Sequence, residues 1–261
     1  MTSIQPAAVT SVTPRFRECA DTPRVVEQIV SLVAPDSLAA DQYRSLRHVI
    51  ERLRTESALQ VLAVSSPAPG DGKTVTTLNL AGALAQSSDA RVLVIDADLR
   101  RPSVGGYLGL SSRLPGLTEA AADPTLGLSR VLRRFEGFNL SVVPAGQPTN
   151  TPYELLNSPR LEALVADARR HFDCVLIDTP PVVPLPDCRL IERLVDGFLI
   201  VVAAHKTPRK TLAEALNTID ARRVVGLVFN ADDQPSSDYY GYYYRSDSRT
   251  RNSWWRRRLG R

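Results

Sequence analysis

Between residues 59 and 230, apolar runs of strand length alternate with stretches in which apolar positions recur at helical spacing. The runs are nearly continuous, which is typical of strands buried on both faces of a parallel sheet. We therefore predict an α/β fold with a mostly parallel central sheet and helices on both faces. The predicted strands are residues 59–65, 91–96, 140–144, 174–178, 197–203 and 224–230, and the clearest helices are residues 74–86, 158–170 and 207–220, the last with Thr207 as N-cap.

The two ends of the chain lack this pattern and set the predicted domain boundaries. Residues 1–24 are rich in Ser, Thr and Pro, and residues 235–261 are polar and rich in Tyr and Arg. A helix with one apolar stripe is predicted over residues 37–54, with Asp36 or Ser37 as its N-cap. We predict a mobile arm over residues 1–36, one compact domain over residues 37–234 and a tail over residues 235–261.

Composition narrows the classes of protein that this chain can belong to. With 261 residues, 43% hydrophobic and 23% charged, it excludes a wholly disordered, collagen-like or disulfide-scaffold protein. The longest apolar run, residues 198–204, is far shorter than the roughly 20 residues of a membrane-spanning helix. No secretory signal pattern is visible, and three cysteines suit a reducing compartment, so we expect a cytoplasmic location.

The basic charge is concentrated in the tail. Residues 245–261 contain seven arginines and one aspartate, whereas the formal net charge of the whole chain is +4. The remainder is therefore slightly acidic, which argues against a nucleic-acid partner. Only three lysines occur, and one of them, Lys73, lies in a glycine-rich segment. Lys73 is therefore the first candidate for a functional cation.

The segment over residues 61–74 is the candidate phosphate-binding loop, because a predicted strand enters it and a predicted helix leaves it. Gly70 and Gly72 let backbone N–H groups converge on one anion, Lys73 supplies a cation, and the Thr74 hydroxyl can ligate Mg²⁺. The general pattern GxxxxGK[ST] fails by one residue, since Pro67 replaces the first glycine. A glycine-rich turn with an incidental lysine is the alternative.

Carboxylates follow two other predicted strands. Asp96 and Asp98 end one apolar run, and Asp178 ends another. Each could be a simple helix N-cap, but parallel strands deliver their carboxyl ends to one edge of the sheet. A phosphate loop and acidic residues at one edge are what Mg-nucleotide chemistry requires. The combination predicts a P-loop NTPase fold.

These residues resemble the motifs of the bacterial tyrosine kinases (BY-kinases), in particular the cytoplasmic CapB/CpsD type. The family has a Walker A loop PxxGxGK[ST], a Walker A′ motif DxDxR and a Walker B motif DxPP, which correspond here to residues 67–74, 96–100 and 178–181. The resemblance covers roughly residues 38–245. It implies an ATP-dependent protein-tyrosine autokinase that regulates capsular or exopolysaccharide synthesis, chain length or export.

Two other functional classes stay open. A nucleotide-switch ATPase similar to MinD and ParA would hydrolyse ATP without phosphorylating tyrosine, but that group has a second lysine where this chain has Ala68. A non-catalytic, ATP-binding subunit of an export complex is disfavoured by the complete loop and carboxylates.

The resemblance and the loop chemistry together imply ATP and Mg²⁺ as cofactors. Asp178 is expected to hold the water shell of the metal, and the choice of Asp96 or Asp98 as base for the tyrosine proton stays open. The expected catalytic residues are Lys73, Asp96, Asp98 and Arg100; the expected nucleotide-binding residues are Gly70, Asp71, Gly72, Lys73, Thr74 and Val75; the expected metal ligands are Thr74, Asp96 and Asp178.

The tail contains five of the eight tyrosines of the chain. The resemblance implies that this cluster is the autophosphorylation target, whereas an aromatic partner-binding peptide is the simpler alternative. Each phosphate adds about −1.5 to −2 charges, so phosphorylation could reverse the sign of the basic tail. Trp254 and Trp255 precede three arginines, which suits either a solvated end or contact with an anionic surface. The expected phosphoacceptors are Tyr239, Tyr240, Tyr242, Tyr243 and Tyr244.

The predicted helix over residues 37–54 includes a possible subunit contact. In the family an ExxRxxR motif joins subunits into a ring, and Asp41, Arg44 and Arg47 occupy these positions here. An intrahelical ion pair between Asp41 and Arg44 is the alternative. The resemblance also implies a membrane partner, a chain-length-determinant (polysaccharide co-polymerase) protein, which would hold the kinase at the inner face of the plasma membrane.

Overall fold

The computed structural model describes residues 25–87, 90–135 and 137–232. They form a seven-stranded sheet with the order β3-β4-β2-β5-β1-β6-β7. The strands are β1 (Val61–Ser65), β2 (Val92–Asp96), β3 (Arg133–Arg134), β4 (Leu140–Val143), β5 (Cys174–Asp178), β6 (Gly197–Ala203) and β7 (Val224–Asn230). The helices are α1 (Val30–Val33), α2 (Leu38–Ser57), α3 (Lys73–Leu84), α4 (Val104–Tyr107), α5 (Leu117–Ala122), α6 (Leu128–Val131), α7 (Pro152–Leu156), α8 (Pro159–His171), α9 (Asp187–Glu192) and α10 (Arg209–Thr218), with a 3₁₀ turn at Ala221–Arg223.

Neighbouring strands are parallel except for the pair β3 and β4. The predicted α/β fold with a mostly parallel sheet is therefore confirmed, and all six predicted strands are present within two residues of their expected bounds. The pattern does not predict β3, which is antiparallel at one edge of the sheet. Two consecutive arginines carry no apolar signal, so only pairing with β4 identifies them as a strand.

Alternate residues of one strand supply two separate hydrophobic cores, which explains why the apolar runs are continuous. Leu62 and Val64 of β1 face the core that includes residues of α2 and α3. Val61 and Ala63 face the opposite core, which includes residues of α8, α9 and α10. Helices therefore cover both faces of the sheet, as the sequence predicts.

The folded part of the chain begins before the predicted boundary at residue 37. Ile29 is fully buried in the core on the α3 side of the sheet. The Ser31 N–H donates to Asn79 Oδ1 at 2.9 Å, and Asn79 Nδ2 donates to Gln28 O at 2.9 Å. Residues 28–31 thus pack on α3, although they lie within the expected arm. The helix here, α1, has four residues, too few to show a periodic pattern.

Two predicted helix caps have different outcomes. Ser37 caps α2, because its side chain accepts the Ala40 N–H. The prediction that Thr207 caps the last helix is wrong, since α10 begins at Arg209 with Pro208 as its N-cap and the Thr207 hydroxyl donates elsewhere. Within the described ranges, no helix combines the length and the apolar character needed to span a membrane.

Candidate active site

The carboxyl ends of β1, β5 and β2 meet at one edge of the sheet, since these strands are parallel neighbours. Asp96 and Asp178 are the last residues of β2 and β5 and are partners in register. The candidate phosphate loop follows β1 at this same edge. As a result, the side chains of Thr74 and Asp178 are hydrogen-bonded although they lie 104 positions apart in sequence.

The loop between β1 and α3 has the backbone features of an anion-binding loop. Gly70 and Gly72 have φ angles of 84° and 95°, in the left-handed region that glycine adopts most readily. Helix α3 begins at Lys73 with Gly72 as its N-cap. Glycine provides no side chain to accept the first N–H groups of the helix, so these donors are free to bind an anion.

A single lysine lies among three aspartates at the start of α3. Lys73 Nζ is 2.9 Å from Asp98 Oδ2 and 3.6 Å from Asp178 Oδ2. The Thr74 hydroxyl donates to Asp178 Oδ2 at 2.7 Å. Asp96 Oδ2 accepts the N–H of Val104 at 3.1 Å, which fixes this carboxylate beside the other two. The structure therefore brings together five of the predicted site residues from three segments: Lys73, Thr74, Asp96, Asp98 and Asp178.

Burial makes this cluster electrostatically unusual. Asp96 and Asp178 are fully buried. Burial, followed by the nearby Asp178 carboxylate, raises the pKa of Asp96 to about 8. Burial also raises the pKa of Asp178. Burial lowers the pKa of Lys73, but the Asp178 and Asp98 carboxylates outweigh it, so the net pKa is raised and the lysine stays charged. The site thus carries an excess of acidic groups that suits a divalent cation.

The oxygen atoms of this cluster fit Mg²⁺. The ion is usually bound by one or two carboxylates together with substrate phosphates and water, and the Thr74 hydroxyl and Asp178 carboxylate are adjacent oxygen donors of that kind. In the described part of the chain, no group of three or more His, Cys, Asp and Glu side chains forms a metal site on its own. Such a site would therefore depend on the phosphates of a nucleotide for its remaining ligands.

Comparison with known proteins identifies the family. A family model described as an AAA domain matches residues 59–224. The tyrosine-protein kinase YwqD of Bacillus subtilis is 30% identical over 228 residues, which cover 86% of this chain and 94% of that protein. The chain belongs to the bacterial tyrosine-kinase family. The predicted family and kinase class are therefore confirmed.

A solved structure and a longer relative agree with this assignment. The kinase domain of the Escherichia coli tyrosine kinase ETK has a TM-score of 0.73 and 28% identity, covering 81% of this chain and 83% of that one. The succinoglycan biosynthesis transport protein ExoP of Rhizobium meliloti is 29% identical over 84% of this chain, which spans only 30% of ExoP. The name of ExoP connects that relative with polysaccharide biosynthesis, and the P-loop kinase fold of this chain implies nucleotide binding.

Arg100, an expected catalytic residue of the kinase, is held by a carboxylate outside the aspartate cluster. Its Nε and Nη2 atoms donate to the two oxygens of Asp187, at 2.7 and 3.1 Å. The Asp187 side chain is fully buried at the start of α9. The sequence analysis does not single out Asp187, because a lone acid at a helix start is most often a cap. The pair connects the DxDxR segment to the segment after the Walker B motif.

Two hydroxyl groups near the cluster also escape sequence analysis. Ser103 Oγ lies 3.0 Å from Thr74 Oγ1, and Thr77 Oγ1 lies 3.4 Å from Asp178 Oδ1. Thr77 is four residues after Lys73 on α3, a spacing that places both on one helix face and could have identified it. Ser103 has no such signal, since only folding brings it to the loop.

Two expected nucleotide-binding residues have side chains that face the protein. The Asp71 carboxylate is buried and accepts hydrogen bonds from this chain, so its backbone N–H is the group left for a ligand. Val75 packs against the core on the α3 side of the sheet.

The three expected oligomerisation residues of the kinase make contacts within the chain. Arg44 forms an ion pair with Asp41, the alternative that the helical spacing allows, and also donates to Pro35 O. Arg47 donates to Glu51 Oε1 at 2.7 Å and to Ala83 O near the end of α3 at 3.0 Å. A role in subunit contact stays a prediction.

The five expected phosphoacceptor tyrosines lie outside the described residues, as does the pair Trp254 and Trp255. Their predicted roles rest on the sequence.

Proposed function

We propose that this kinase transfers the γ-phosphoryl group of ATP to tyrosines of its own C-terminal tail. The modification would regulate the synthesis, chain length or export of a capsular polysaccharide or exopolysaccharide. The observation that carries the proposal is the buried cluster of Lys73, Asp98 and Asp178 beside a phosphate loop with an open helix N-terminus. The tyrosine cluster at residues 239–244 supplies acceptors within the same chain.

Binding of ATP is assigned to the loop and to Lys73. The backbone N–H groups from Gly70 to Thr74 and the ammonium group of Lys73 would hold the β- and γ-phosphates. Without nucleotide, Lys73 forms ion pairs with Asp98 and Asp178, which hold its ammonium group at the start of α3. Phosphoryl transfer has little covalent chemistry for a protein to perform, and positioning with charge neutralisation supplies most of the rate.

Thr74 would ligate Mg²⁺, Asp178 would hold the water shell of the ion, and Asp96 would either add a carboxylate ligand or accept the tyrosine proton. When bound, the ion neutralises charge on the transferred phosphate. A tyrosine oxygen attacks the γ-phosphorus, the bond to ADP breaks, and the tyrosine proton passes to Asp96 or Asp98. Arg100 supports this arrangement by fixing the Asp98 segment to Asp187.

In this proposal, the charge of the C-terminal tail controls the assembly of kinase subunits. The tail is basic, and several phosphates would reverse its sign.

Residues of α2, including Arg44 and Arg47, would join copies of the kinase into a homo-oligomer such as a ring. A chain-length-determinant membrane protein would bind the kinase at the inner face of the plasma membrane. The name of ExoP, a biosynthesis transport protein, supports a partner of this kind.

Intact mass before and after incubation with Mg-ATP tests the proposal. We expect gains of one to five phosphates that map to residues 239–244, and none in Lys73→Met. Phosphorylation that persists in Lys73→Met would refute the assignment of the site. Hydrolysis of ATP without any phosphotyrosine, also in the presence of the cytoplasmic tail of the membrane partner, would favour the nucleotide-switch class instead.

A further inference from the structure

Two carbonyl groups of the phosphate loop are held from outside by side chains at the ends of β6 and β7. Asn230 Nδ2 donates to Asp71 O at 3.0 Å, across 159 positions of sequence. Lys206 Nζ lies 3.4 Å from Gly70 O. Both contacts come from the strands beyond β1, on the side of the sheet away from the three aspartates. The loop therefore has partners that the catalytic cluster does not supply.

The buried carboxylate of Asp71 completes this support. It accepts the Ala68 N–H at 2.9 Å and the Thr207 hydroxyl at 2.8 Å. Thr207 Oγ1 also accepts the N–H of Ala203, the last residue of β6, at 3.1 Å. The loop is thereby joined to the end of β6 through one hydroxyl group.

The direction of a carbonyl fixes the direction of the next N–H group. In a trans peptide, C=O and N–H point opposite ways. Asn230, by holding Asp71 O, turns the Gly72 N–H to the other side of the loop, and Lys206 does the same for the Asp71 N–H. In a loop of this type that other side is the concave one, where phosphate binds.

We propose that Thr207 and Asn230 are positioning residues of the phosphate loop, which hold its N–H groups in the phosphate-binding orientation before nucleotide arrives. The effect on ATP binding rests on the proposed function. The orientation of the loop N–H groups does not, because it is a property of the nucleotide-free kinase. Gly72 fits the same scheme, since a Cβ there would lie 1.9 Å from Asn230 Nδ2. The side chain of Asn230 thus packs directly against the loop.

Near-isosteric variants of the full chain test the proposal. Thr207→Val and Asn230→Leu remove the donors and keep the bulk, whereas Thr207→Ser restores the hydroxyl. Thr218→Val and Asn217→Leu are matched controls, because the Thr218 hydroxyl donates to Glu214 O within α10 and Asn217 is exposed. If Asn230→Leu fails to fold, Asn230→Ala, which removes the donor without apolar bulk, replaces it.

The first measurement is amide hydrogen exchange of the loop peptide over residues 66–74 in the nucleotide-free kinase. We expect exchange to be several-fold faster in Thr207→Val and Asn230→Leu, and unchanged in Thr207→Ser and the two controls. The second is the Kd for ADP, which we expect to rise about five- to tenfold in the two donor-free variants.

Each outcome decides a separate claim. Loop exchange and ADP affinity equal to those of the controls, in folded Thr207→Val and Asn230→Leu, would overturn the positioning role. A lower unfolding temperature without faster loop exchange would assign these residues to general stability and also overturn it. If the unmodified kinase binds no nucleotide, the proposed function fails, and the exchange data alone decide the role of Thr207 and Asn230.

Discussion

Aspartates lie at both edges of the central sheet, the edge where the strands begin and the edge where they end, but their burial and their pairing with cations differ. At the edge where the strands begin, Asp196 accepts the Val61 N–H at 2.7 Å and is paired with Arg169 at 2.7 Å. Asp173 is paired with Arg91 at 2.8 Å. At this edge each aspartate has its own arginine, and all four side chains are partly exposed.

At the opposite edge the aspartate cluster has fewer cations per carboxylate and is more deeply buried. Asp96, Asp98 and Asp178 are almost completely buried and share the single cation of Lys73. Burial raises the pKa of Asp96 and of Asp178. By contrast, the hydrogen bonds from Arg91 lower the pKa of Asp173. The number of cations per carboxylate and the burial therefore distinguish these structural ion pairs from the candidate catalytic cluster.

The largest expected difference between the edges concerns their cations. Lys73→Met should reduce autophosphorylation at least about a thousand-fold, because it removes the charge that neutralises the transferred phosphate. Arg169→Met should leave the rate unchanged and lower the free energy of unfolding by about 1 kcal/mol. Phosphotyrosine formation and urea unfolding of both variants measure the two effects. Loss of activity in Arg169→Met without unfolding would contradict this separation.

A second contrast is between two glycines. Gly72→Ala forces a left-handed alanine against Asn230 and should cost roughly 1–3 kcal/mol in the binding conformation of the loop, which weakens ATP binding by about five- to 150-fold. Gly127→Ala meets open space, and we expect wild-type affinity. Titration with ATP compares the variants. Equal affinities would show that the loop tolerates a Cβ at residue 72.

The two edges should also respond to pH in opposite directions. The folded-state pKa of Asp96, about 8, lies above its unfolded value, so its contribution is fully present below about pH 4 and is lost as pH rises toward 8. Asp96→Asn should therefore flatten the fall in stability between pH 5 and 8, by at most about 1.4 kcal/mol per pH unit. Urea unfolding of the nucleotide-free kinase at these pH values tests this.

The matched control for that experiment is Asp173. Its pKa is lowered in the folded kinase, so its contribution is present above about pH 4 and is lost as pH falls further. Asp173→Asn should leave the slope between pH 5 and 8 unchanged. An identical change of slope in both variants would mean that Asp96 is not responsible.

The smallest expected effect concerns the exposed partner of Asp173. Arg91 is 60% exposed, so Arg91→Gln should lower the free energy of unfolding by less than about 1 kcal/mol and leave phosphorylation unaltered. Urea midpoints at low and high salt measure this, and the difference should shrink with salt. A larger loss of unfolding free energy would mean that the pair of Arg91 and Asp173 contributes as much as a buried ion pair.

The sequence predicts the strands better than the short helices. Continuous apolar runs reveal six strands, because both faces of the sheet are buried. Helix α1 and strand β3 have four and two residues, too few for a periodic signal. The burial of Ile29 likewise depends on tertiary packing, since it shares a hydrophobic core with residues of α3 and of the sheet.

The residues of the candidate site also differ in whether the sequence alone identifies them. Local spacing identifies the glycines, Lys73, Thr74 and the three aspartates, since all of them lie at the end of an apolar strand or in the loop and helix start that follow it. The roles of Asp187, Thr207 and Asn230 cannot, because each acts through a contact 87 or more positions away. Thr207 even resembles a helix cap in sequence.

The sequence by itself determined the chemistry of the chain: a phosphate loop, acidic strand ends and a tyrosine-rich tail, all of which are local patterns. Tertiary structure decided which groups are paired. Arg100 forms an ion pair with Asp187, and three buried aspartates lie around Lys73. Thr207 and Asn230 form hydrogen bonds with the loop. The physical reason is that these contacts depend on the order of the strands and on the exclusion of water, neither of which is visible in local spacing.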